Sequence, residues 1–409
     1  MRSNVRLASG LICLLICLAL GLAQAGCGSS GGMNGFINGG NSGGVGGSGG
    51  SNTDASSNKD TASGSDAVAA SLGCGMAAPA DPAPVADNHN YQKFTISVTA
   101  ATMSSYATSS ATSFNRLYYV RLPDNYDPTK PYRVIYLGPG CGAAQDITPT
   151  SRKGFPFDTD TIATDAKSNA ILVQMEQGFY NPATYNSATC MPNGAGTATT
   201  ACQYCFDDWA DISASSPIPD APDKVAMEKA YFDALHKQIE SKYCVDKNRQ
   251  FFTGYSSGGW LAQQLGCWFP DVLRAQGNVT GGLPPVLKAN VTGANDYCVQ
   301  HPIAAFLLHN NPDISNSFQG SVDGAARLFA LNGCTGTYAA PPKPTEAIPD
   351  GQEEYTITGV PNGNSFRCVR YTTCPASAPI VFCVSTDSQH TDTQAARAVP
   401  GFWEFFSGF

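Results

Sequence analysis

The run "RQFFTGYSSGGWLAQQLGC", beginning at Arg249, limits what this chain can fold into more than any other stretch. Apolar β-formers lead into Gly254-Tyr-Ser-Ser-Gly258, and a helical pattern follows from Trp260 to Cys267. Passing from strand to helix through one serine requires a sharp turn. Gly254 and Gly258 stand where two backbone segments must come closer than a Cβ allows. In a chain with 42 glycines the G-x-S-x-G pattern alone says little. Its place between a strand and a helix carries the reading, in which Ser256 is a hydroxyl presented on a strained elbow. The N-terminus of the following helix would favour negative charge developing beside it.

The surrounding pattern agrees with that elbow. "RLYYVRL" (116–122), "YRVIYLG" (132–138), "AILVQM" (170–175), "RQFFTG" (249–254), "IAAFLLHN" (303–310) and "PIVFCVS" (379–385) read as strands. Between them, Val225, Phe232, Leu235, Ile239 and Tyr243 recur at helical spacing behind Asp220 and Asp223 as cap candidates. "ARLFALNGC" stops at Asn332-Gly333, and "AARAVPGFWEFFSGF" predicts a short terminal helix. Strands alternating with helices imply an α/β fold with a mostly parallel central sheet and helices on both faces.

A serine hydroxyl needs a general base, usually a histidine oriented by a carboxylate. The chain offers five histidines. His89 leads into the domain, His236 falls mid-helix and reads as a solvated position, and His301 precedes Pro302. His309 ends a strand four residues before Asp313, and His390 follows the last strand. An α/β-hydrolase presents Ser, then acid, then His along its chain, with the acid and His on loops after later strands. Asp313 and His390 meet that order and placement, with Asp387 and Asp392 as weaker alternatives for the acid. An oxyanion hole would take the backbone N–H of Ser257 and a second N–H from the glycine-rich loop around Cys141. That loop also matches G-x-G-x-x-A. Pro139 and Pro149 deny it the helix a dinucleotide fingerprint needs, so no cofactor is expected.

These segments together resemble the secreted feruloyl esterases of carbohydrate esterase family one and the related extracellular polyhydroxybutyrate depolymerases. "LPDNYDPTKPYRVIYLGPGCG" is similar to their opening strand and oxyanion loop, and "YCVDKNRQFFTGYSSGGWLAQQLGCWFPDVLRA" to their elbow. "LLHNNPDISNSFQGSVDGAARLFALNGC" resembles the stretch bearing their aspartate, and "PIVFCVSTDSQHTDT" with "FWEFFSGF" their histidine loop and closing helix. The resemblance implies an α/β-hydrolase with Ser256 as nucleophile, His390 as base and Asp313 as orienting acid. It also implies an oxyanion hole at Ser257 and Cys141, and no metal or organic cofactor. The implied substrate is a feruloyl or other hydroxycinnamoyl ester on plant cell-wall polysaccharide such as xylan. Polyhydroxybutyrate and acetylxylan are the alternatives. The chain has Pro139 where the family has His, and Ser388-Gln389 where it has Gly-Gly. These departures motivate a rival reading, a non-catalytic surface binding protein on a hydrolase scaffold.

The N-terminal region reads as processing and spacing. Arg2 and Arg6 before "LICLLICLALGLAQAGC" form a secretory signal over residues 1–26, with Cys27 as the candidate lipid-attachment site of a lipoprotein. Residues 27–73 form a Gly/Ser-rich linker that cannot bury a core, and 74–409 the catalytic domain. The expected location is extracytoplasmic, secreted or tethered to the outer surface of a membrane. The net charge of −8 without a basic cluster argues against a nucleic-acid partner.

In the insert 181–220, the aromatics Tyr185, Tyr204, Phe206 and Trp209, together with Trp260 beyond it, are candidate contacts for an aromatic acyl group. Cys202 and Cys205 form a C-x-x-C there, near Cys190, without the partners a zinc site needs. Twelve cysteines from Cys74 to Cys383 suit up to six disulfides of open connectivity. Titrating the native protein with a thiol reagent is therefore expected to find no more than one free thiol per chain. A higher count would refute this pairing.

Overall fold

A computed structural model describes residues 68–79, 91–99, 114–140, 169–176, 221–283, 301–386, 390 and 395–409. The expected leader, Cys27, Cys141, His89, Asp387, Asp392 and the insert 181–220 lie outside them.

Ten strands form one sheet among the described residues. In chain order they are β1 (Gln92–Val98), β2 (Phe114–Arg121), β3 (Tyr132–Gly138), β4 (Ala170–Met175), β5 (Val245–Tyr255), β6 (Ala275–Val279), β7 (Ala304–Asn310), β8 (Gln352–Tyr355), β9 (Phe366–Tyr371) and β10 (Ile380–Ser385). Four helices accompany them: α1 (Ala221–Lys242), α2 (Ser257–Trp268), α3 (Phe318–Leu331) and α4 (Ala395–Ser407). The strand order is β1-β2-β4-β3-β5-β6-β7-β10-β9-β8. The six central strands from β4 to β10 pair in parallel, and the outer pairs are antiparallel. This is the α/β-hydrolase architecture, a mostly parallel sheet covered on both faces.

Side-chain alternation sorts the core into two layers. On one face Val134, Tyr136 and Phe252 meet Phe232, Leu235 and Ile239 of α1, Leu261 and Leu265 of α2, and Leu328 of α3. On the other, Ile135, Leu137, Phe251 and Phe306 meet Phe402, Phe405 and Phe406 of α4. Burial on both sides explains why β3, β4 and β7 read as continuous apolar runs.

Three parts of the structure depart from the sequence reading. Strand β6, with buried Gln276 and Asn278, and the outer strands β1, β8 and β9 show no apolar run long enough to mark them. The packed domain takes in residues before Cys74. Ala70 bridges to Asp246, Ser71 exchanges hydrogen bonds with Tyr243 and Val245, and Cys74 is joined to Cys244. Disulfides Cys334–Cys374 and Cys368–Cys383 staple the far edge of the sheet.

His236 is a correction. The expected solvated helix residue is 7% exposed, its ring against Phe232 and against Phe269 beyond α2. Asp233 and Glu240 lie 3.4 and 3.6 Å from its two nitrogens. Burial disfavours its cation, yet the two carboxylates outweigh that and hold its pKa above the usual value.

At the other end of α1, Arg116 of β2 is fully buried. It pairs with Glu228 at 2.6 Å and Glu176 at 3.8 Å and lies over the Tyr231 ring at 4.1 Å. A buried guanidinium is tolerable because both carboxylates answer it.

Because the folded-state pKa of His236 is raised, its stabilisation is complete below about pH 6.5 and fades as pH climbs through the folded value. His236→Gln is therefore expected to lower Tm more at pH 6 than at pH 8.5. Equal losses at both pH values would refute the pairing.

Candidate active site

Ser256 is the single residue between β5 and α2. Its φ of 53° and ψ of −119° lie in a region that non-glycine residues rarely occupy. Two backbone bonds hold it there, from its N–H to Val279 at 2.8 Å and from the Gly259 N–H to its carbonyl at 2.9 Å. The turn also needs its glycines. A Cβ on Gly254 would stand 2.2 Å from the Gly258 carbonyl oxygen, and one on Gly258 would stand 2.0 Å from that of Gly138. The C-terminus of β3 and the first turn of α2 thus meet backbone to backbone. Ser256 makes no side-chain cap on α2, which leaves its hydroxyl to point elsewhere.

It points at His390. Ser256 Oγ lies 3.0 Å from His390 Nε2, and His390 Nδ1 lies 2.8 Å from Asp313 Oδ2. Asp313 is on the loop after β7 and His390 on the loop after β10, so all three stand beyond the C-terminal ends of parallel strands. The carboxylate accepts at Nδ1, so that nitrogen carries a proton and Nε2 is left to accept from the serine.

His390 has a φ of 51°, and its carbonyl accepts the Tyr255 hydroxyl at 3.1 Å while the two rings pack at 5.3 Å. The residue before the serine therefore also anchors the histidine. No motif in the sequence signals that link, because it joins residues 135 positions apart.

Asp313 is fixed from both sides. Oδ1 accepts the backbone N–H groups of Ser315 at 2.8 Å and Asn316 at 2.9 Å, and the side chain has no solvent exposure. Burial raises its pKa, but hydrogen bonds from His309, His390, Asn316 and Ser315 prevail and hold it well below the ordinary carboxylate range. It is ionised at any pH near neutrality.

Ser257, expected to supply one oxyanion-hole N–H, is the first residue of α2 and fully buried. Helix N-termini direct such N–H groups outward. Gly138 and Pro139 of the early loop abut the same turn, the Pro139 carbonyl oxygen 2.9 Å from where a Gly258 Cβ would be. The other expected donor, near Cys141, lies outside the described residues, as do Tyr185, Tyr204, Phe206 and Trp209. Trp260 sits on the first turn of α2 with its indole against Gly282.

No family model matches the chain. It is similar to a probable feruloyl esterase C of Aspergillus oryzae, 27% identical over 228 residues, or 56% of this chain and just under two thirds (66%) of the relative. A probable feruloyl esterase C of Aspergillus niger is 25% identical over 295 residues, covering 71% of this chain and 83% of the relative. The chain is feruloyl esterase-like. Feruloyl esterase C of Emericella nidulans, 24% identical over 295 residues (71% and 83%), is similar in the same way. Among solved structures, acetyl xylan esterase from Aspergillus awamori overlays with a TM-score of 0.43 at 14% identity, over 77% of this chain and all of that one.

The feruloyl esterase-like chain should not tolerate a methyl group at the elbow. Gly258→Ala is expected to cost about 3 kcal/mol or more by overpacking. Gly363→Ala, where nothing lies within 4 Å of the added Cβ and φ is not positive, should be neutral or stabilise by up to about 1 kcal/mol. Urea unfolding of the two variants checks the contrast, and equal midpoints would contradict it.

Proposed function

We propose that this chain is a serine carboxylesterase that removes hydroxycinnamoyl groups, feruloyl above all, from plant cell-wall polysaccharide. The observation that carries the reading is the hydrogen-bonded line from Ser256 through His390 to Asp313, with the serine on a strained strand-to-helix elbow. The feruloyl esterase relatives support the choice of the feruloyl group, and the polysaccharide comes from the family resemblance of the sequence. Acetylxylan and polyhydroxybutyrate remain competing substrates for the same machinery.

The steps follow from the geometry. His390 Nε2 takes the Ser256 proton as Oγ attacks the ester carbonyl carbon. The carbonyl oxygen becomes an oxyanion, stabilised by the Ser257 N–H and a second N–H of the loop after β3. Asp313 stays ionised and stabilises the imidazolium without accepting its proton. The imidazolium then protonates the departing sugar hydroxyl, leaving an acyl-serine. Water, deprotonated by the same nitrogen, attacks that acyl group, and the collapse returns the free acid and Ser256. No step calls for a metal or organic cofactor.

An extracytoplasmic location, with Cys27 as a lipid anchor on the outer face of a membrane, is part of this proposal, and the leader-like run before Cys27 and the disulfides of the domain support it. Mass spectrometry finding lipid-free Cys27 in the natural host would sink that part.

The decisive experiment compares wild type with Ser256→Ala, both made in an oxidising compartment, on methyl ferulate, a p-nitrophenyl acetate and a hydroxybutyrate oligomer. The variant is expected to lose on the order of 10³-fold or more in kcat/KM. The substrate that wild type prefers then chooses among the three esters. A folded wild-type protein inert on all of them would favour the binding-protein alternative.

A further inference from the structure

Asp313 faces a second histidine. His309, the penultimate residue of β7, is fully buried with Nε2 3.3 Å from Asp313 Oδ2, the oxygen that also receives His390. The same Nε2 lies 3.3 Å from the Asn316 carbonyl oxygen, so both its neighbours are acceptors. Nδ1 lies 2.6 Å from Ser321 Oγ on α3, and that hydroxyl gives its one hydrogen to the Gly281 carbonyl at 2.5 Å. Toward Nδ1 the serine therefore presents a lone pair. Both ring nitrogens are left facing acceptors, and an imidazole meets that arrangement only with two protons.

We propose that His309 is held as a buried imidazolium and is a positioning residue for Asp313. It fixes the carboxylate in the plane that serves His390 and shares its negative charge. This inference rests on the catalytic reading of Ser256, His390 and Asp313 above.

The carboxylate then has four donors, Ser315 and Asn316 on Oδ1 and the two histidines on Oδ2. Such a site leaves it no freedom to rotate and no reason to protonate, in keeping with the low pKa to which His309 contributes. The titratable groups facing His309 are Asp313 and, across it, His390. Helix α3 contributes Ser321 and the Phe318 ring at 5.7 Å, neither of them charged.

A carboxylate bound to one cation attracts a second less strongly. A cation at His309 therefore leaves less of the Asp313 charge to act on His390.

The first test reads charge directly, by imidazole ¹⁵N NMR of the wild-type chain, whose five histidines are assigned by single substitution. Both His309 nitrogens are expected to be protonated from pH 6 to 8. An unprotonated nitrogen there would overturn the proposal.

The second test is the pH profile of kcat/KM in His309→Gln, whose amide keeps a donor for Asp313 but removes the charge. Its acidic limb is expected to move up by roughly 0.5–1 pH unit, with kcat falling several-fold or more. A loss of Tm with the limb unmoved would show His309 to be structural only, and would also overturn the proposal. Should Ser256→Ala retain activity, the catalytic reading fails, while the NMR result still reports on His309.

Discussion

The structure turns on an approach between backbones that only glycine permits. The end of β3, the end of β5 and the first turn of α2 converge at Gly138, Gly254 and Gly258, closer than any side chain allows. From that contact follow the positive φ of Ser256, the freeing of its hydroxyl from capping duty and the placing of the α2 N-terminus behind it. The strain is held by a sheet and helix that are buried on both sides, so the turn cannot relax without moving the core.

Charge is handled in a consistent way. Arg116, His236 and Asp313 are each taken out of water, and each is met by partners of opposite sign or by convergent hydrogen bonds. At Arg116 the pairing with Glu228 ties α1 to the sheet, while both partners of His236 lie on α1 itself. At Asp313 the same device serves a different end, because one of its partners also touches the serine. Two histidines on one carboxylate give that group a structural and a chemical side, joined at a single oxygen.

Much of this was legible in the sequence. Runs such as "YRVIYLG" and "AILVQM" match strands β3 and β4 residue for residue, since fully buried parallel strands leave an unbroken apolar signature. That Ser256, Asp313 and His390 would meet could be read from chain order and strand ends, which restrict the residues that can come together.

What escaped was non-local or polar. Strand β6 hides behind Gln276 and Asn278, the latter spent on the Gly281 N–H. Strand β8, "QEEY", is an edge whose Glu353 pairs with Arg370 at the surface. His236 looked solvated because the ring that covers it, Phe269, comes from beyond another helix. The roles of His309 and Tyr255 depend on contacts through space that no local spacing encodes.

The docking of residues 69–74 at the start of β5 has a practical meaning. Ala69, Ala70 and Ser71 bond to Lys247, Asp246 and Val245, and Cys74 is covalently tied to Cys244, at the opposite end of the strand that delivers Ser256. Whatever pulls on the domain from its N-terminal side pulls on that remote end, and the load meets the Ala69–Ser71 pairing with β5 first and the Cys74–Cys244 disulfide behind it. Immobilisation on a bead or fibre through this end would leave the serine on the outward rim, facing an insoluble substrate rather than its support.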